Sequence, residues 1–495
     1  MKHFTLALFL TFLCIPLSAS YFEFSEKARD AYQFIFSLQF DEAQDKIIEL
    51  KIAEPDNQIR HLLANYIDCL TIFVTEDESA FDELKQNKQL RLDAIKDGDP
   101  QSPYYLFAQA EIHLHWAICR AKFEEYFQAV IEVRRAYNLL EKNAQLFPDF
   151  IPNKKNLGLM HAMIGTVPDK YRWGVKLLGM NGTIEQGRGE IEEVLAYAEA
   201  EEDFIYATET RILYAYLLFH LSNQEDLAWQ QLEKAKLDPA ANPIACFVMA
   251  NLAMRTGRND LALELLSKRP KGSRYFPFPY LDFMMGVAKL NRLDPDADQA
   301  FLAFLRQTRG RNYIKESYQK LAWHAVLHDH PDDYWQYMET CKRLGVAIID
   351  EDLAALREAR QRKLPNKQLL KARVLFDGAY YEQARSTLST KQSDPTDSLA
   401  YELEYNYRLG RIYDMLDQDE IALQYYQKTI DQGRYEGFYF ACNAALMSGR
   451  IFEEQERWDE AKSFYELTLS IKSDEYRSSL HQKAKAGLNR IEESN

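Results

Sequence analysis

The sequence predicts an all-α protein assembled from paired helices, and three observations carry that prediction. Glycine and proline are scarce, at 19 and 16 of 495 residues, while tyrosine and phenylalanine reach 30 and 28. That balance suits long helices joined by aromatic packing and does not suit a turn-rich β architecture. From Tyr21 onward apolar residues recur three and four places apart, with no sustained alternation of period two. Finally, a small residue followed four places later by a large apolar one returns along the chain at intervals that repeat.

Residues 1–20 read as a secretory signal peptide. Lys2 and His3 give a basic start, FTLALFLTFLCIPL an apolar core, and Ser18, Ala19 and Ser20 a small-residue cleavage site. The apolar run is shorter than the roughly 20 residues that span a bilayer. Thr11, Phe12 and Leu13 before Cys14 are too bulky for a bacterial lipoprotein processing box. No later stretch is apolar enough to span a membrane, so the expected mature chain has no transmembrane segment.

Residues 21–152 read as N-terminal helical hairpins. Ala43 with Ile47 begins the small-then-large series, and Leu50 and Pro55 close that copy. Asp97, Gly98, Asp99 and Pro100 mark a break before a longer pair from Tyr104 to Phe147.

Residues 153–200 form a glycine-rich divergent helical segment. Seven of the 19 glycines fall here (Gly158, Gly165, Gly174, Gly179, Gly182, Gly187 and Gly189), together with Pro168, so helical backbone is expected to break at least twice. Thr183 and Gln186 stand at capping-box spacing, which predicts a helix starting just after Thr183. The segment lacks a phosphate-loop lysine and a dinucleotide fingerprint, so its glycines predict a structural joint in preference to an anion cradle.

Residues 201–365 hold central repeats and residues 366–495 the C-terminal ones. Ala228 with Leu232, Ala262 with Leu266, Ala384 with Leu388, Ala422 with Tyr426 and Ala461 with Tyr465 continue the series. Spacings are 34 residues from Ala228 to Ala262, 38 from Ala384 to Ala422 and 39 from Ala422 to Ala461. A small residue lets the second helix approach the first, and a bulky one a turn later fills the groove beside it. In the first helices, Gly410 with Tyr413 and Gly449 with Phe452 occupy corresponding places, while Gly257 and the Asp377-Gly378 pair mark turns. Breaks are expected at Asp238-Pro239, Asp294-Pro295 and Asp394-Pro395. The aromatic run from Tyr275 to Tyr280 is expected to pack between adjacent helices.

These positions together resemble the tetratricopeptide-repeat (TPR) family. The stretch from Leu177 to Gly187 also resembles a subgroup, the fungal inclusion-body-clearance proteins and their animal TPR relatives, through a double leucine and glycines at the spacing of Gly179, Gly182 and Gly187. Thr183-Ile184 stands where that pattern has Asp-Arg. The resemblance implies a superhelical array of TPR-like hairpins with a concave binding face, and it implies no enzymatic activity.

The net charge of −15 argues against nucleic-acid binding through phosphate neutralisation. Without the signal five widely spaced cysteines remain, an odd number that makes no disulfide framework and leaves one bridge open. Export without dense disulfides points to the periplasm of a Gram-negative bacterium, with envelope association. His324, His328 and His330 are the histidine cluster worth weighing as metal ligands, but the set is incomplete and at a helix end, so no metal site is assigned. Neither catalytic nor cofactor-binding residues are assigned, and no cofactor is expected. The function expected is that of an exported, non-catalytic scaffold binding a protein or peptide on its concave surface. The alternative is a glycan- or nutrient-binding partner of an outer-membrane transporter.

Overall fold

The computed structural model describes residues 20–167, 169–222, 224–390 and 398–494. The signal peptide, Pro168 and the Asp394-Pro395 break lie outside them, apart from Ser20. Among the described residues regular structure is all helix, with one isolated β-bridge between Tyr21 and Asn57. None of the described helices is long and apolar enough to cross a membrane. The chain forms two compact units, 1–245 with 270–277 and 246–269 with 278–495.

The first unit contains α1 (Glu26–Phe36), α2 (Phe40–Ala53), α3 (Ile59–Thr75), α4 (Glu78–Leu84), α5 (Asn87–Lys96), α6 (Pro103–Lys122), α7 (Tyr126–Leu146), α8 (Pro152–Gly165), α9 (Asp169–Leu177), α10 (Ile184–Ala200), α11 (Ala207–Ser222) and α12 (Glu225–Lys234). Helix α13 (Pro243–Arg255) begins at the boundary. The second unit continues with α14 (Asn259–Ser267), α15 (Tyr280–Asn291), α16 (Ala297–Gln307), α17 (Ile314–Leu327), α18 (Pro331–Arg343), α19 (Asp350–Gln361), α20 (Lys367–Asp377), α21 (Tyr381–Thr387), α22 (Leu399–Asp414), α23 (Asp419–Gly433), α24 (Tyr439–Glu454), α25 (Trp458–Ser470) and α26 (Arg477–Ser494).

Eight hairpins share one turn. Its left-handed residue is Leu38, Glu124, Gly257, Leu293, Asp329, Ala379, Asp417 or Glu456, with φ between 52° and 69°. The next residue's N–H bonds back to the carbonyl five positions earlier, as Gln418 does to Tyr413 at 2.9 Å and Arg457 to Phe452 at 2.8 Å. This is the Schellman closure of a helix end. Seven residues before the turn a small, buried side chain always stands: Ala31, Ala117, Ala250, Gly286, Ala322, Ala372, Gly410 and Gly449. Five residues after it stand Ala43, Ala129, Ala262, Ala384, Ala422 and Ala461, so the register read from the sequence is a packing register. A Cβ on Gly410 would come within 2.5 Å of the Tyr426 ring, and one on Gly449 within 2.7 Å of Tyr465.

The structure adds copies that the spacing had not revealed. Ala129 follows Glu124, Tyr334 takes the alanine place after Asp329, and Ala297 with Phe301 is displaced by one residue. The turn expected at Asp377-Gly378 is present between α20 and α21; its glycine has φ −89°, and the left-handed residue is Ala379. Gly378 is instead required by space, since a Cβ there would lie 2.8 Å from that of Asn291.

Helical backbone breaks twice within the described part of 153–200, at 166–167 and at 178–183. Four of its glycines let α8 and α10 cross in backbone contact. A Cβ on Gly158 would sit 2.7 Å from the Gly187 carbonyl, one on Gly165 2.5 Å from the Ile184 nitrogen, and one on Gly182 2.5 Å from the His161 Cα. Gly187 faces the Gly158 carbonyl more closely still. Thr183 Oγ1 accepts from the Gln186 N–H at 3.1 Å and opens α10 as expected. The Gln186 side chain turns to Glu190 and His161, so the cap is half of a capping box.

Candidate functional site

The inner faces of the two units differ. In the first unit five helices converge on Lys155, which is 1% exposed. Its Nζ lies 3.0 Å from Glu111 on α6 and 2.9 Å from Glu209 on α11. Tyr32 on α1 donates to Glu209 at 2.7 Å, Tyr66 on α3 and Asn156 on α8 donate to Glu111, and the Tyr206 ring lies 4.4 Å from the ammonium. Burial alone would raise the Glu111 carboxyl, but Lys155 above all, helped by those donors, holds it down at about 2. Burial lowers His115, 3.8 Å from Glu111, which keeps that ring neutral at pH 7. One ammonium thus serves two carboxyl groups, with tyrosine and asparagine donors completing the pairing, and the buried Tyr206 hydroxyl is left without a hydrogen-bond partner among the described residues.

A cleft of about 260 Å³ lies between α10, α11 and α12 of the same unit. Its charges also pair with one another, Arg188 with Glu192 at 2.9 Å and both Arg211 and Lys234 with Glu199 at 3.3 and 3.2 Å.

In the second unit the first helices α15, α17, α20, α22 and α24 pack on one another in succession, whereas α16, α18, α21, α23 and α25 pack chiefly on the helices just before and after them. The first helices therefore form one layer of the unit and the second helices the other. The residue six places before each of the last four turns is Trp323, Arg373, Arg411 and Arg450 in order, of which Trp323 is buried. Arg373 lays its guanidinium 4.4 Å from the Trp323 ring, and Lys320 lies 3.9 Å from the same ring. Arg411 lies 4.9 Å from the Phe376 ring and donates to Tyr407 at 3.1 Å, and Asn443 donates to that hydroxyl at 2.5 Å.

Carboxylates stand beside these cations at different distances, Glu454 at 3.5 Å from Arg450 among them. Arg408 is tied to Glu404, with Nε at 2.8 Å. Arg373 has its nearest carboxylate, Asp377, only at 3.9 Å, and its side chain remains 38% exposed. Burial would lower its basicity, but Asp377, Tyr439, Glu358 and Glu404 together raise it, which places this cation at the focus of four helices. Arg411 Nε is buried without a hydrogen-bond partner. Guanidinium groups thus stand beside aromatic faces here, a combination that can pair with carboxylates and stack on planar groups.

The histidine cluster sits elsewhere. His324 and His328 face each other with ring centroids 4.1 Å apart, and each uses one nitrogen on a carbonyl oxygen, of Pro295 at 3.0 Å and of His324 at 2.8 Å. His330 is the residue preceding α18. Among the described residues no group of three His, Cys, Asp or Glu is placed to hold a metal. In the aromatic run, Phe276 packs on Phe40 at 4.8 Å and Arg274 pairs with Glu42 at 2.8 Å, while Tyr280 packs on Phe283 and Tyr313.

No groove residue was singled out from the sequence. The turn register places them, but six of its eight left-handed residues are neither glycine nor alanine, so the register itself is hidden in the sequence.

The molecule is thus an all-α array of helical hairpins in two compact units. No family model matches the chain, and no curated protein matches it. Among solved structures it is similar to the TPR domain of P58(IPK), at 15% identity over 83% of this chain and 97% of that one, with a TM-score of 0.21. It is also similar to the APC/C hetero-tetramer Cut9-Hcn1, at 11% identity over 93% and 96%, with a TM-score of 0.26. Superpositions this loose carry no argument, and the architecture rests on the hairpin register itself.

Proposed function

We propose that the chain is an exported, non-catalytic scaffold that binds an extended protein segment on the concave face of its second unit. The observation that carries this reading is the row of Arg373, Arg411 and Arg450 beside Trp323, in which Arg373 is 38% exposed, lies over an aromatic face and has Asp377 at 3.9 Å. Three arginines along successive helices favour a segment with acidic side chains. The buried pairing of Lys155 with Glu111 and Glu209 supports a structural part for the first unit. The basic start and apolar core of residues 1–20 support export to a periplasm, with the mature protein at the envelope.

Fluorescence anisotropy with acidic and basic peptides of equal length tests the site. The acidic peptide binds the wild type, and Arg373→Glu with Arg411→Glu removes that binding while circular dichroism is unchanged. Equal affinity for both peptides, or binding that survives the double substitution, refutes the assignment. Specific retention of glycans with no affinity for peptides would instead establish the sugar-binding alternative. Amino-terminal sequencing of the protein released by osmotic shock tests export, which requires a start near Tyr21.

A further inference from the structure

Helix α9 carries a surface that the scaffold reading leaves unused. Its residues Arg172, Trp173, Lys176 and Leu177 are all exposed, Trp173 at 69% and Leu177 at 76%. Positions i, i+1, i+4 and i+5 lie on one side of a helix, so two large apolar groups alternate there with two basic ones. The opposite side packs through Val175 and Leu178, which are half-buried. A Cβ added at Gly174 would meet nothing within 4 Å, so no neighbouring element covers the helix there. Met163, on the last turn of α8, is 59% exposed as well. The helix bears Lys170, Arg172 and Lys176 against Asp169, in a chain whose net charge is −15.

The geometry points to α9 as a contact with an anionic lipid surface. Tryptophan and leucine enter the headgroup boundary while arginine and lysine reach along it to lipid phosphates. A second copy of the chain fits less well, because a stable protein interface buries about 800 Å² on each partner and one nine-residue helix presents far less. The acidic remainder of the protein is screened beyond about 8 Å at physiological salt, so local charge decides the contact. The contact does not depend on the peptide site.

Co-sedimentation of the full chain with vesicles of phosphatidylglycerol and phosphatidylcholine tests it, with phosphatidylcholine alone as control. Binding is expected to the anionic vesicles only and to fall as salt rises. Trp173→Ala with Leu177→Ala, or Arg172→Glu with Lys176→Glu, is expected to weaken it by roughly tenfold or more. Because all four side chains are exposed, circular dichroism of both variants matches the wild type. No binding at low salt, equal binding to neutral vesicles, or binding unchanged in either variant overturns the assignment. So does sedimentation equilibrium showing that the face joins two copies.

A separate observation carries a second inference. Cys69 on α3 and Cys119 on α6 are buried with their sulfur atoms 3.5 Å apart. Closing to a disulfide needs a shortening of about 1.5 Å. We infer that these two cysteines form a bridge tying α3 to α6 when the chain folds in an oxidising medium. Both S–H bonds break and one S–S bond forms, and the two protons and two electrons pass to a disulfide such as oxidised glutathione, which leaves as two thiols. Burial requires that this happens as the chain folds.

Refolding with oxidised glutathione, followed by thiol titration in denaturant, reads the outcome whether or not the chain is exported. The mature protein's five cysteines should yield two fewer thiols than the reduced control, with peptide mapping joining the segments of Cys69 and Cys119. Cys69→Ala should abolish the bridge. Five thiols remaining, or a bridge involving Cys246, Cys341 or Cys442, overturns the inference.

Discussion

Replacing Lys155 by methionine removes the one cation on which α6, α8 and α11 converge, while keeping the length of the side chain. Glu111, itself 1% exposed, then faces Glu209 with only tyrosine and asparagine donors left. A carboxyl held at about 2 instead of 4.5 corresponds to about 3 kcal/mol of folding free energy at neutral pH. Breaking a buried pair by removing one partner costs about 3–5 kcal/mol, which agrees in size. The sign with pH follows. In the wild type the Glu111 carboxyl is depressed, so its contribution is present above 4.5 and lost as pH falls toward 2. In Lys155→Met burial dominates and raises that carboxyl, so protonation favours the fold and the gap to wild type narrows below about pH 5. Hydrogen exchange read by mass spectrometry gives the loss locally, in peptides of α3, α6, α8 and α11. A loss below about 1 kcal/mol, or a gap that widens on acidification, refutes the account of the network.

Three further outcomes follow from the packing. Gly187→Ala should cost about 2–3 kcal/mol or more by forcing α8 and α10 apart, whereas Gly174→Ala, which meets no atom within 4 Å, should be neutral or stabilising; urea denaturation compares them. Thr183→Ala should cost about 1 kcal/mol through the lost cap while Thr183→Ser is nearly neutral, measured the same way. At the left-handed Glu456, glycine should leave stability unchanged or raise it by up to about 1 kcal/mol, and valine should lower it by about 1–2 kcal/mol, since a β-branched side chain fits that conformation worst; thermal melts followed by circular dichroism decide.

The hairpin register was legible where both of its marks were of the expected type. Ala422 with Tyr426 and Ala461 with Tyr465 pair with Gly410 and Gly449, and the structure sets the Tyr426 and Tyr465 rings against those glycines, with both alanines in the same core cluster. Copies with Tyr334 or Ala297 at the key place escaped notice, because tertiary packing accepts a different side chain wherever the facing helix supplies room. The turns were hidden for a related reason. Backbone closure fixes Leu38, Glu124, Leu293 and Asp417 in the left-handed region although nothing in their side chains announces it. The joint at 153–200 was readable because only glycine permits the α8–α10 crossing. The network around Lys155 was not, since Tyr32, Tyr66, Glu111 and Glu209 are far apart in sequence and each looks like an ordinary helix residue. The groove was invisible for the same reason: Arg373 differs from other arginines only in what surrounds it.

The hydrogen bonds from Tyr32 to Glu209 and from Lys155 to both glutamates join the earliest helix of the first unit to one of its last. A set of hairpins closed in this way has no free end at which to gain or lose a member. Deleting α1 and α2 would strip Glu209 of a donor far along the chain, and the remainder would not simply be shorter. In the second unit the long-range tie is looser and more exposed, from Arg357 of α19 to Glu475 at 3.9 Å and over the Tyr476 ring. An added or lost hairpin there would disturb a half-exposed pair, not a buried network.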